Sequence, residues 1–257
     1  MRRAMLFLVG LMLLAPAPVR AAGGRETTPA LAIRHLQNAQ VVGAPETVGR
    51  RSPIGPQLYR RVVDSVVLVV TNEGFGSGVL VTAEGHVLTN WHVVEGYDVV
   101  GVVRRQPELL AGMDRLREEH VTLGRVVAVD AKRDLALLML TSVAAALRTV
   151  PLGAAGGVEV GQDVYALGHP GGLLWSYAEG VVSQIRPDYA WTFREGSQHR
   201  ATVIQTQVPL HQGSSGGAIF DGDARIVGIT FGQQDATLNF AIAVSEVRDW
   251  ILSLTRR

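Results

Sequence analysis

Five consecutive residues, Gly213-Ser214-Ser215-Gly216-Gly217, set a serine hydroxyl among glycines. Glycine leaves room for a substrate carbonyl beside Ser215 and lets the main chain turn so that its N–H groups point inward. A loop of this kind can attack a carbonyl carbon and also stabilise the oxyanion that forms. The pattern G-x-S-x-G is not specific by itself, because many glycine turns contain it.

Order along the chain narrows the chemistry. A nucleophile elbow of the α/β-hydrolase type needs its acid and then its histidine after the serine. The last of the seven histidines here is His211, before Ser215, so that arrangement is excluded. Upstream stand Thr89-Asn90-Trp91-His92-Val93-Val94 and Arg133-Asp134-Leu135-Ala136-Leu137-Leu138. Histidine, aspartate and serine thus follow one another in the order used by chymotrypsin-type enzymes. A lone histidine is ordinarily a structural or surface residue, and a lone aspartate before an apolar run is ordinarily a turn. Three matches in this order, each at the edge of a predicted strand, point to His92, Asp134 and Ser215 as a catalytic set.

The elements that would carry these residues are short and β-rich. Before residue 142 the expected strands are Val62–Thr71, Gly76–Thr82, His86–Asn90, Asp98–Val103, Gly124–Asp130 and Leu135–Leu140. Between the fourth and fifth, Pro107–His120 places Leu109, Leu110, Met113 and Leu116 at helical spacing, which predicts a surface helix. Residues from about 142 to 161 read as a connection. A second set follows at Asp163–His169, Ala178–Ile185, Thr202–Val208, Ser215–Phe220, Ile226–Phe231 and Asn239–Val244. Two sets of six predict an all-β protein of two antiparallel barrels, about 60–141 and about 162–244. A C-terminal helix over 245–255 closes the chain, with Ser245 as N-cap and Val247, Trp250, Ile251 and Leu254 on one face.

Composition limits the alternatives. With 257 residues, 47% hydrophobic and 18% charged, the chain can bury a sizeable core. Arg2 and Arg3, the apolar run Met5–Leu14 and the small-x-small site Val19-Arg20-Ala21 read as a secretory signal over residues 1–21. The run is short of the ~20 residues of a membrane span, so the expectation is cleavage rather than anchoring, and an exported, periplasmic or extracellular protein. Cleavage would take the formal net charge from +1 to −2, which offers no footing for nucleic acid. Cysteine is absent, excluding a thiol nucleophile and thiolate metal sites, and no H-E-x-x-H is present. His169 and His211 lack a third ligand and read as loop residues, so neither metal nor cofactor is expected. Residues 22–57, rich in Gly, Pro, Arg and Thr, read as a loosely packed N-terminal extension before a unit spanning 58–257.

Seven motifs together resemble the HtrA (Deg) branch of the chymotrypsin-fold serine proteases. They are Gly76-Ser77-Gly78-Val79-Leu80, the His92 and Asp134 segments, Ala166-Leu167-Gly168-His169-Pro170-Gly171, Gly180-Val181-Val182-Ser183, Ile204-Gln205-Thr206 and the Ser215 loop. The resemblance implies an active site between two barrels and an endopeptidase acting on unfolded or damaged proteins. It implies an oxyanion hole on the turn Gly213, Ser214 and Ser215, with N–H donors from Gly213 and Ser215. It also implies a primary substrate pocket based on Pro209, with Ile229, Thr230 and Phe231 near its walls. With no carboxylate there, cleavage after small or medium apolar residues is expected. The family usually carries PDZ domains and often forms trimers through an aromatic-bearing N-terminal segment. Here the chain stops soon after the terminal helix, and residues 22–58 contain no aromatic, so a PDZ-less protein is expected and a trimer has no sequence support.

The loop before Ser215 departs from the family pattern, reading Gln207-Val208-Pro209 and His211-Gln212-Gly213-Ser214. That departure motivates two rivals: a non-catalytic binding or chaperone-like protein on a protease fold, and an esterase using the same three residues.

Overall fold

The computed structural model describes residues 24–38, 52–143, 146–154, 156–193, 197–233 and 238–255. The expected signal peptide lies outside them. In chain order the elements are β1 (Arg25–Glu26), α1 (Pro29–Asn38), α2 (Gly55–Val62), β2 (Val66–Val70), β3 (Phe75–Leu80), β4 (His86–Thr89), α3 (Trp91–Val94), β5 (Tyr97–Val103), β6 (Val121–Asp130) and β7 (Leu135–Leu140). These are followed by β8 (Asp163–Gly168), β9 (Ser176–Trp191), β10 (His199–Thr206), β11 (Ala218–Phe220), β12 (Ile226–Gln233), β13 (Asn239–Ala243) and α4 (Val244–Thr255).

The predicted all-β, two-barrel architecture is present. In the first unit the order β5-β2-β3-β4-β7-β6 returns on itself through β5–β6, with every pairing in that ring antiparallel. The second unit is a closed antiparallel barrel, β10-β13-β12-β11-β8-β9. Alternation of side chains across each strand sorts the apolar residues into separate cores. Val67, Val69, Leu80, Val87, Val102 and Leu138 form one cluster in the first unit, and Val164, Ala166, Ile204, Ile219, Val227 and Ala241 form one in the second. Leu68, Val70, Leu88 and Leu137 belong instead to a third cluster shared with Leu167, Ile229 and Trp250. That is why β2 reads as an unbroken Val-Val-Leu-Val-Val: both of its faces are buried.

Four expectations are corrected. Residues 24–38 are not loosely packed, because β1 pairs in parallel with β5 and α1 sets Ala32, Ile33 and Leu36 into the shared core. The strand expected from Val62 starts at Val66. Pro56 opens α2, and Leu58 and Val62, four residues apart on one face, are buried by it. The helix expected over Pro107–His120 is three short 3-10 turns, Pro107–Ala111, Met113–Arg115 and Glu118–His120. Gly112, at φ 134°, breaks the helical path while Leu109, Met113 and Leu116 still reach the core. Finally, β9 is twice as long as expected. Its first part pairs with β8, and its continuation to Trp191 pairs with β10 as far as His199.

Candidate active site

His92 sits in the single turn α3 directly after β4, and Asp134 directly before β7. Because β4 and β7 are neighbours with Thr89 opposite Ala136, the two residues leave the sheet at the same end. The joint is closed by main chain: the Asp134 carbonyl accepts from Asn90 Nδ2 at 2.9 Å and from the Trp91 N–H at 3.2 Å. Asp134 adopts φ 58°, a left-handed conformation that aspartate tolerates better than most residues. This turn aims its carboxylate back at His92.

The Asp134 carboxylate has no solvent exposure. Its Oδ1 accepts the His92 main-chain N–H at 2.9 Å, and its Oδ2 lies 2.7 Å from His92 Nδ1. A buried carboxylate facing Nδ1 places the ring proton there and leaves the Nε2 lone pair free to take a proton. The second barrel supports this corner. His199, at the start of β10, is buried and donates from Nδ1 to the Ala131 carbonyl at 2.7 Å, and the Arg200 N–H bonds the Lys132 carbonyl at 2.7 Å. Arg133 links the same turn to α4 through Glu246, 2.8 Å away.

Ser215 lies on the loop between β10 and β11. Gly213 and Gly216 have φ of 92° and 82°, which glycine adopts without strain. At Gly216 a side chain would also collide with the Ser77 carbonyl and the Thr89 hydroxyl. The loop is held from both sides. The Gly171 N–H bonds the Gln212 carbonyl at 2.7 Å, and the Ser214 N–H bonds the His211 carbonyl at 2.8 Å. From the first barrel, Ser77 on β3 grips the loop twice: its N–H bonds the Ser215 carbonyl at 2.7 Å and its hydroxyl bonds the Gly213 carbonyl at 2.8 Å. Of the turn Gly213, Ser214 and Ser215, then, the Ser214 N–H is already committed inward. Those of Gly213 and Ser215 meet no acceptor among the described residues.

Ser77 also orders a buried histidine. Its single hydroxyl proton goes to Gly213, so the 2.9 Å contact with His169 Nδ1 must be donated by the imidazole. Burial pushes the His169 imidazole down to about 3, keeping it neutral.

Beside Ser215 a cavity of about 220 Å³ is lined by Gly168, Leu173, Pro209, Leu210, Ser214 and Thr230, among others, with no carboxylate. Two of the residues expected at the pocket, Pro209 and Thr230, are there. The other two, Ile229 and Phe231, flank Thr230 on the opposite face of β12 and belong to the shared core. The Phe231 carbonyl accepts from Ser215 Oγ at 3.2 Å. Phe193, beyond the end of β9, covers the imidazole of His92, with ring centres 4.1 Å apart. Sequence reasoning did not single out Phe193, His199 or the double grip of Ser77, since each acts across a gap of many residues. Among the described residues no helix is long and apolar enough to cross a membrane.

Residues 76–229 match the family model for the trypsin-like peptidase domain. The chain is 31% identical over 224 residues to serine protease PepD of Mycobacterium tuberculosis, covering 80% of this chain and 47% of PepD. It is 30% identical over 157 residues to the chloroplastic Protease Do-like 1 of Arabidopsis thaliana, covering 61% of this chain and 33% of that protein. The chain thus spans between a third and a half of the length of these two relatives. Among solved structures it is similar to the HtrA-type protease AlgW with tripeptide, at a TM-score of 0.64 and 26% identity, covering 78% of this chain and 63% of that one. The motif set, the paired barrels and these matches together make the chain an HtrA (Deg)-like member of the trypsin-like peptidase family.

Proposed function

We propose that the protein is an exported serine endopeptidase that hydrolyses peptide bonds of unfolded or damaged polypeptides. The observation that carries this reading is the buried Asp134 carboxylate, 2.7 Å from His92 Nδ1, in a barrel whose Ser77 also bonds the Ser215 loop twice. In this reading Ser215 Oγ adds to the scissile carbonyl while His92 Nε2 takes its proton. The tetrahedral oxyanion lies against the N–H groups of Gly213 and Ser215. The C–N bond then breaks, the amine leaves with the proton from His92, and water, deprotonated in turn by His92, releases the acyl group. Asp134 holds the tautomer and stabilises the imidazolium. The apolar cavity at Pro209 and Thr230 takes a small or medium apolar side chain such as Val, Ala or Leu. Export rests on the N-terminal sequence, and a trimer or other assembly is outside this reading.

The test is intact-mass labelling of residues 22–257 by a fluorophosphonate, beside Ser215→Ala and with unfolded polypeptide present. Single-site labelling that vanishes in the variant is the expected result. No labelling of folded protein would favour a non-catalytic binding protein. Turnover of a simple ester without cleavage of a denatured protein would favour an esterase. Preferred cleavage after Lys or Arg in a peptide library would overturn the pocket assignment.

A further inference from the structure

A trans peptide points its N–H away from its own carbonyl. Whatever holds the carbonyl of a peptide therefore aims the N–H of the next residue. For the Gly213 N–H the relevant carbonyl is that of Gln212, held by the main-chain N–H of Gly171 at 2.7 Å. For the Ser215 N–H it is that of Ser214, which accepts from the Gly217 N–H at 2.9 Å and from Thr230 Oγ1 at 2.6 Å. Among these anchors, Thr230 is the one side chain.

Thr230 lines the cavity, yet its hydroxyl, N–H and carbonyl all bond this loop. It is buried at 1% exposure, its N–H bonds the Gly217 carbonyl at 2.9 Å, and its carbonyl accepts the Gly216 N–H at 2.8 Å. Its hydroxyl carries one proton, and that proton goes to Ser214. A residue whose only task was to shape the apolar cavity would need no hydroxyl, and valine would fill the same volume. We propose that Thr230 is a positioning residue: its hydroxyl aims the Ser215 N–H at the oxyanion. The inference rests on the reading of Ser215 as the nucleophile.

Losing one oxyanion donor outright costs about 10²–10³ in rate, so loosening one donor's aim should cost somewhat less. Thr230→Val should lower kcat by about 10- to 100-fold with KM within about twofold and with the apolar cleavage preference unchanged. It should weaken a peptide boronate, whose tetrahedral adduct places an oxygen at the same donors, by a similar factor. Thr230→Ser, which keeps the hydroxyl, should restore kcat to within a few-fold of wild type. If the valine variant does not fold, Thr230→Ala is read in its place on kcat and boronate affinity alone, since it also widens the cavity. Wild-type kcat without the hydroxyl overturns the proposal, as does a loss expressed in KM or cleavage preference, or a serine variant as slow as valine. Wild-type protein that fails to label at Ser215 overturns the parent reading and this inference together. Labelling with no effect of Thr230 overturns this inference alone.

Discussion

The Ser215 hydroxyl donates to the main-chain carbonyl of Phe231, 3.2 Å away, and not to His92. A carbonyl cannot remove the serine proton, so in the proposed mechanism rotation about the Cα–Cβ bond brings Oγ toward His92 before attack. A neutral, partly buried hydrogen bond of this kind is worth about 1 kcal/mol. Ser215→Ala should therefore move unfolding free energy by no more than about 1 kcal/mol while abolishing fluorophosphonate labelling. Chemical denaturation and intact mass on the same preparation check both halves.

Asp134→Asn separates charge from geometry. Asparagine accepts the left-handed backbone found at φ 58°, so the turn should survive. Its amide can no longer both accept the His92 main-chain N–H and hold the Nδ1 proton as a buried anion does. We expect kcat to fall by about 10⁴-fold with little change in KM. A loss below tenfold in a steady-state assay would contradict the role given to Asp134.

His169 sets a pH dependence of stability. Its imidazole titrates at about 3 when folded, against an ordinary value near 6.5. Between these values the unfolded chain binds a proton that the folded protein refuses. Its contribution is thus fully present above pH ~6.5 and is lost as pH falls toward 3, by about 1.4 kcal/mol per unit. Denaturant unfolding measured from pH 7 to pH 4 should show this slope. His169→Asn, whose side-chain amide can still donate to Ser77, should flatten it.

Phe193 covers His92, whose side chain is only 20% exposed. Removing the ring in Phe193→Ala should speed carbethoxylation of His92 by diethyl pyrocarbonate several-fold, followed by peptide mass mapping. An unchanged rate would mean that this ring contact does not shield His92.

The N-terminal helix offers a stability test. Leu36 is 1% exposed in the shared core, whereas Leu31 on the same helix is 40% exposed. Leu36→Ala should cost about 2–5 kcal/mol and Leu31→Ala less than about 0.5 kcal/mol, measured by chemical denaturation.

The strand pattern and the order His92, Asp134, Ser215 were legible because both are written locally, as short β-rich runs and as residues fixed to strand ends. The helix expected over Pro107–His120 failed because period and composition say nothing of the break at Gly112. The packing of α1 was hidden because Ala32, Ile33 and Leu36 are apolar for the sake of a core contributed mostly by later residues. At the site, flanking motifs marked the proposed reacting groups but not what holds them. Ser77 and Gly213 are 136 residues apart and meet only once both barrels are formed. The displacement of Ile229 and Phe231 from the cavity follows from strand alternation about Thr230, a consequence of register.

The double grip of Ser77 on the Ser215 loop has a mechanical consequence. A residue of one barrel holds two carbonyls of the other, so the walls of the cleft are riveted together at the very point where alignment counts. Prying the walls apart to admit a bulky guest would break both Ser77 bonds and release the Ser215 loop. On the proposed function, a slot riveted in this way suits a chain thin enough to thread better than a folded domain.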